Sequence, residues 1–409
     1  MSMNSKGSYM EKIMEIKLMH NSFSDEELEA VINCFKSGEY TQGRVVQELE
    51  QRFASYVGTK YAVMVNSGSS ANLLMTMLLK EKLALEDGDE VLVPAVTWPT
   101  TVYPLLQYRL KPVFCDIDET FNISLESIKR MTTQKTKAIF LVHLLGQPVN
   151  LTDIIRFCQE RGIIMLEDCC ESLGAQHLNV HVGNFGIMGS FSFYFGHHMS
   201  SIEGGMIVTN DEEIYDLLKS ARSHGWVRNS LRAEKYNDYS IDKNFLFDML
   251  GYNVRSTNLN AAIGLVQLKK LDKSIIIRKE NHRLFQELVK HEKRIIPQKV
   301  LLAETSSFSL GILLQQPSER DYLLANLPKK GIECRPIVAG NLLQQPFFKK
   351  IIGGYLQDSC TFADIIHTNG LYLPNNQFLD EEKIRYIVGS LICLLNEKHQ
   401  QDLKTYPVV

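Results

Sequence analysis

The chain has 409 residues, 44% hydrophobic and 22% charged, with a formal net charge of −3 and eight cysteines. That charge gives no electrostatic footing for nucleic acid or an anionic membrane surface, and so few cysteines exclude a disulfide scaffold. The length exceeds what one hydrophobic core usually serves, so two units are expected: a large one over residues 1–270, N-terminal arm included, and a smaller one over 271–409.

In chain order, the opening stretch MSMNSKGSYMEKIMEIKLMH is interrupted by charges and lacks the apolar core of a signal peptide. Tyr61–Asn66 (YAVMVN) reads as a strand, followed by the turn SGSS and an apolar helix over Ala71–Leu79. Glu90–Pro94 (EVLVP) is the next strand, a helix follows Pro99, and Lys111–Asp116 (KPVFCD) is extended again. Ala138–His143 and Ile163–Glu167 are strands on either side of a helix near Leu151–Gln159. Gly205–Thr209 (GMIVT) closes this region, and Asp211 opens a helix with an acidic first turn. Continuous apolar strands alternating with helices predict an α/β fold with a mostly parallel sheet covered on both faces.

From Arg228 to Gly251 the pattern dissolves into a polar, aperiodic loop, and loops of that length are usually functional. A long helix is expected from Asn258 to about Glu292. Beyond it, short strands (SSFSLGILLQ, IECRPIV) mix with helices (Arg320–Leu327, Glu381–Leu395), which suits a smaller α+β unit. The longest near-apolar run, Ile384–Leu395, contains Arg385 and is too short to span a bilayer, so the expected location is the cytoplasm. Only Cys169 and Cys170 are adjacent, and neighbours at a strand-to-loop junction are poorly placed to share an ion; no metal is expected.

Three features carry candidate chemistry. The turn Ser67–Ser70 joins a strand to a helix, where small residues and free N–H groups suit an anion, although many such turns are small-residue-rich for the turn alone. Asp168 ends a strand, where sites lie in open α/β sheets; it could hold a ring nitrogen protonated or simply cap a helix. Trp98 also follows a strand end and could stack on a planar ligand or fill core.

These segments fall in an order that resembles the DegT/DnrJ/EryC1 family of sugar-nucleotide aminotransferases, which have the aspartate aminotransferase fold (fold type I). The resemblance runs from GEYTQGRVVQELEQRFA (Gly38–Ala54) to GIECRPI (Gly331–Ile337). It implies pyridoxal 5′-phosphate or its amine form, pyridoxamine 5′-phosphate, as cofactor. In VNSGSSANLL it implies Gly68, Ser69 and Ser70 as phosphate contacts, with Ser192 as a further one. Trp98 would stack on the ring, Asp168 would pair with the ring nitrogen, and Glu171 falls where the family commonly has Gln or His near the ring hydroxyl. The segment GYNVR, Gly251–Arg255, matches a loop whose Asn253 reaches the cofactor phosphate of the neighbouring subunit, which implies a homodimer with shared active sites.

The family's Schiff-base lysine is the point of departure. Its pattern is Ser, five residues on Lys, then six residues on Glu-Gly-Gly. Counting five forward from Ser192 and six back from Glu203 both reach His197, and no lysine lies between Lys137 and Lys219. Imidazole cannot form the imine tether but can move a proton near neutral pH. The expected chemistry is therefore loss of the hydroxyl on the carbon next to the substrate's ketone, C3 in a 4-keto sugar, with His197 as acid and base and L-glutamate restoring the amine cofactor.

That expectation coincides with a branch of the family that has His at the lysine position and dehydrates a nucleotide-linked 4-keto-6-deoxyhexose at C3. The phrases GHHMSSIEGG, RSHGWVRN and GIECRPIVAGN carry the likeness. GDP and the mannose configuration come from the resemblance alone. His224, Arg228 and Arg335 are candidate substrate contacts. The cysteines lack the close spacing an iron–sulfur cluster needs, which sets aside the cluster-bearing relatives. Two readings stay open beside this one: an aminotransferase drawing its lysine from elsewhere, and a catalytically dead binding scaffold.

Overall fold

The structure is a computed structural model that describes residues 14–228, 230–352 and 360–405. The expectation about a signal peptide falls mostly on residues 1–13, outside the described residues. Two helices open the described chain, α1 (Asp25–Ser37) and α2 (Arg44–Val57). Ser24 and Glu27 form a reciprocal capping box at the start of α1, and Gly38 ends it with φ 76°, a left-handed turn that glycine adopts without strain.

A seven-stranded sheet follows. Its strands are β1 (Tyr61–Val65), β2 (Glu90–Pro94), β3 (Lys111–Cys115), β4 (Thr136–Val142) and β5 (Ile164–Asp168). After the short hairpin β6–β7 (Gln176–His177, Val180–His181) come β8 (Met188–Ser192) and β9 (Gly205–Thr209). The spatial order is β1-β9-β8-β5-β4-β2-β3. Only β9 runs against its neighbours, antiparallel to both β1 and β8; the remaining pairs are parallel.

Helices α3 (Gly68–Glu81), α4 (Tyr103–Gln107), α5 (Leu125–Met131), α6 (Leu151–Arg161) and α7 (Glu212–Ala221) connect the strands. Alternate strand residues feed different cores: Val63 and Val65 meet Leu74 and Leu218, while Ala62 and Met64 meet Leu49 and Phe53. Burial on both faces explains why these strands are apolar throughout rather than at every second position.

The 32-residue helix α8 (Asn258–Val289) starts at Thr257, whose hydroxyl accepts from the Asn260 N–H. Its first half packs on the large sheet through Ala261 and Leu271, and its second half enters another core through Phe285 and Val289. Residue 270 thus falls inside α8. The second core belongs to a four-stranded antiparallel sheet of β10 (Ile295–Pro297), β11 (Leu310–Leu314), β12 (Arg335–Pro336) and β13 (Gly370–Leu373), in the order β10-β11-β13-β12. It is dressed by α9 (Pro317–Asn326), α11 (Thr361–Asn369) and α12 (Glu381–Thr405), while α10 (Pro346–Ile352) sends Phe348 against Tyr103 and Phe114 in the core of the large sheet. Among the described residues, no helix is long and apolar enough to cross a membrane.

Candidate active site

The carboxyl ends of β1, β2, β5 and β8 converge on one edge of the large sheet. Because β9 is reversed, its first residue Gly205 lies there too, opposite both Val65 and Ser192. A cavity of about 400 Å³ opens at this edge, the place where ligands bind in open α/β sheets. Gly68, Ser69, Trp98, Asp168, Glu171, Ser192, His197 and Arg335 all line it. Asn253, His224 and Arg228 do not, nor does Ser70, whose hydroxyl donates to Asn66 Oδ1 at 2.6 Å.

Asp168 is the last residue of β5 and is buried. Its Oδ2 accepts from Asn72 Nδ2 at 2.7 Å and Thr101 Oγ1 at 2.9 Å, and its Oδ1 from the Cys170 N–H at 3.1 Å. Asn72, on α3, is fixed in turn by the Ser190 hydroxyl at 2.6 Å. A carboxylate so held keeps one geometry for a partner in the cavity. Neither Asn72 nor Thr101 was singled out from sequence. Asn72 did leave a signal, as a polar residue on an otherwise apolar helix. Thr101 left none.

Ser67 caps α3, accepting from the Ser70 N–H at 3.1 Å. The N–H groups of Gly68 and Ser69, in the first turn, have no intrahelical acceptor and suit an anion. Gly68 is there for closeness: a Cβ on it would lie 2.8 Å from both Cys170 Sγ and Ser192 Cβ. Trp98 keeps 57% of its surface exposed although it borders a deep cavity, the state of an aromatic face available for stacking.

His197 sits in the loop between β8 and β9. Burial pushes its imidazole down to about 4, against the pull of backbone groups at Cys170 and Ser192 and of the Asp168 charge. The ring is therefore neutral at pH 7 and able to accept a proton. Its Nδ1 is buried with no hydrogen-bond partner among the described residues. His198 faces away, with Nε2 on the Ser306 carbonyl at 3.1 Å. Glu171 is pushed up to about 7 by burial, with the Leu145 N–H bond opposing and the Asp168 charge adding. Next to it, burial and the Glu171 charge raise Tyr372 to about 12, while Arg335 opposes.

The remaining predicted residues lie on the segment after α7. The Arg228 and Arg255 guanidiniums sit 5.1 and 5.7 Å from the Trp226 ring, and the His224 ring 5.2 Å. Trp226, Arg228 and Arg255 border a second cavity of about 520 Å³. Asn253 bridges to Ser223 and accepts from Arg255 Nε at 3.0 Å. One further buried group, His143 with Glu167 and Cys169, has metal-ligand residue types. Glu167, however, already accepts from the N–H groups of Gly183, Phe185 and Gly186 as well as pairing with His143.

The first cavity thus offers a phosphate-sized turn, an exposed aromatic face, an anchored carboxylate and an unpartnered imidazole nitrogen. These fit a phosphorylated pyridine ring, and with the sheet order they define the aspartate aminotransferase fold, fold type I, with its site at the strand ends. The model of the DegT/DnrJ/EryC1/StrS aminotransferase family matches residues 21–392, and the chain belongs to that family. It is 41% identical over 379 residues to the GDP-4-keto-6-deoxy-D-mannose 3-dehydratase of Escherichia coli O55:H7, covering 90% of this chain and 97% of that protein. A solved GDP-4-keto-6-deoxymannose-3-dehydratase with a trapped PLP-glutamate geminal diamine superposes with a TM-score of 0.88 at 41% identity, covering 92% of this chain and all of the other. A histidine-to-asparagine variant of that enzyme with bound GDP-perosamine gives 0.87 at 40% identity, with the same coverage.

Proposed function

We propose that this chain is a pyridoxamine phosphate-dependent sugar 3-dehydratase acting on GDP-4-keto-6-deoxy-D-mannose. The carrying observation is His197, an acid–base residue where a tethering lysine would stand, inside an otherwise complete cofactor site. When bound, the cofactor supplies an amine for the sugar ketone and an electron sink for proton loss.

The chain's own residues do the rest. Ser67, Gly68, Ser69 and Ser192 would hold the phosphate, Trp98 would cover one ring face, and Asp168 would keep the ring nitrogen protonated. His197, neutral at pH 7, would take the proton at C4′ and return it to the departing C3 oxygen. Glu171, poised near 7, would face the ring hydroxyl as a carboxyl that can donate. Overall the sugar loses one oxygen, while glutamate is oxidised to 2-oxoglutarate with release of ammonia, so atoms and electrons balance.

His224, Arg228 and Asn253 lie outside the His197 cavity, and a second subunit is the arrangement that brings them to it. We therefore include in the proposal a homodimer with shared sites, a division near residue 270 within α8, and a cytoplasmic location. A solved relative holding GDP-perosamine and another holding a glutamate adduct support the two substrates.

The test is to incubate the protein with pyridoxal phosphate and borohydride and weigh it, then assay it on the keto sugar nucleotide with glutamate. No covalent pyridoxyl group and loss of the C3 oxygen are expected. Aminated sugar or a pyridoxylated lysine would sink this reading in favour of an aminotransferase; cofactor binding without either reaction would leave a scaffold.

A further inference from the structure

We propose that Phe308 is a positioning residue for His197: with Tyr194 it clamps the imidazole by packing, in a site that has no covalent tether to orient its acid–base group. This rests on the acid–base role given above to His197. The Phe308 ring lies 5.4 Å from the His197 ring at 78°, and the Tyr194 ring 5.9 Å away at 87°. Both are edge-on contacts, which fix a plane as well as a distance. A catalytic imidazole is ordinarily oriented by a hydrogen bond to one ring nitrogen. Here Nδ1 is buried without one, and beside the backbone groups at Cys170 and Ser192 that pull on the ring, the two aromatic neighbours share in orienting it.

Phe308 is itself held with unusual care. Its N–H donates to the Leu145 carbonyl at 3.0 Å, and its own carbonyl accepts from Arg278 Nη1 at 2.9 Å. The residues around it take left-handed backbone: Leu145 at φ 54°, Gly146 at 87° and Ser307 at 48°. A Cβ on Gly146 would fall 2.5 Å from the Phe308 nitrogen. Left-handed Leu and Ser persist only where their surroundings over-determine them, and such strain gathers at functional sites. Arg278 is buried, and its Nη1 is taken by the carbonyls of Phe308 and Asn375, with no carboxylate paired to it among the described residues. Burying a cation on two carbonyls is costly. What it secures is the position of the two cavity-wall residues, Phe308 and Asn375.

The test uses Phe308→Leu, which keeps bulk but loses the plane, Phe308→Tyr as the conservative rescue, and Tyr194→Leu on an exposed part of the loop. Phe308→Leu should lower kcat about 10- to 100-fold, with KM and pyridoxamine phosphate affinity within about two-fold. Phe308→Tyr should recover most of the loss, and Tyr194→Leu should show the same split more weakly. Without substrate or cofactor, His197 should react with diethyl pyrocarbonate several-fold faster in Phe308→Leu than in the parent, read by peptide mass. That readout stands even if the proposed reaction fails. Unchanged kcat and unchanged modification rate in Phe308→Leu would overturn the clamp. So would a parallel fall of kcat, cofactor affinity and Tm in both leucine variants, which marks a merely structural role.

Discussion

The acid–base role proposed for His197 shows its effect most directly in pH dependence. The folded pKa of about 4 lies below the ordinary value of 6.5, so the neutral base is present at all pH values above about 5. The acidic limb of kcat should therefore lie near 4 rather than near 6.5, with no loss of base function between pH 5 and 7. Any titration near 7 belongs to Glu171, whose carboxyl form predominates below that pH, and Glu171→Gln should abolish it in a pH–rate series. His197→Asn should cut turnover about 100- to 10,000-fold while pyridoxamine phosphate affinity, followed by fluorescence, changes little. The place of His197 and Asp168 in the cavity wall was legible, the first because two counts in sequence meet on it and the second because a strand visibly ends there. Phe308 and Thr101 were not, because their partners are distant in sequence: Phe308 meets His197 only after α8 has fixed the loop before β11. Thr101→Val tests the weight of that hidden layer. It strips one donor from Asp168 and should cost about 1–3 kcal/mol in urea unfolding, with weaker cofactor binding.

At the scale of elements, the strand ends are assembled by close backbone approach rather than by side chains. A Cβ on Gly205 would lie 2.4 Å from the Ser67 carbonyl carbon, and one on Gly68 would strike Cys170 Sγ and Ser192 Cβ. Gly68→Ala meets side-chain atoms that can shift, and should cost about 1–3 kcal/mol by thermal or chemical unfolding. Gly205→Ala meets backbone that cannot, and should be worse in the same measurement. Strands such as Glu90–Pro94 and Gly205–Thr209 were legible to the residue, since fully buried strands are unbroken apolar runs. β8 was not: its sequence MGSFS carries two serines, and a small polar residue gives no apolar signal. Ser190 is tolerated mid-sheet only because it reaches Asn72. The helix α3 also begins earlier than its apolar stretch suggests, because its first turn is the small-residue turn Gly68–Ser70 itself.

For the molecule as a whole, the broad plan was legible from length and from the change of pattern after α8, whereas the placement of His224, Arg228 and Asn253 was not. Local sequence places them in one stretch, and the proposed homodimer would bring them to the partner's cavity rather than to their own. Complementation of two defective variants examines this directly. His197→Asn and Asn253→Ala chains, refolded together in equal amounts, should regain about one quarter of the parent activity, since half the dimers are mixed and each has one intact site. No recovery would argue against shared sites. A different consequence follows from the reversal of β9. The chain leaves the sheet at Ser192 and re-enters it at Gly205, directly alongside, so the His197 loop is a closed detour whose ends are bolted to each other. A residue exchanged inside such a detour leaves the strand pairing outside it undisturbed. One architecture can thus serve two trades, installing nitrogen on a sugar or stripping oxygen from it, with the choice made inside a single removable bracket.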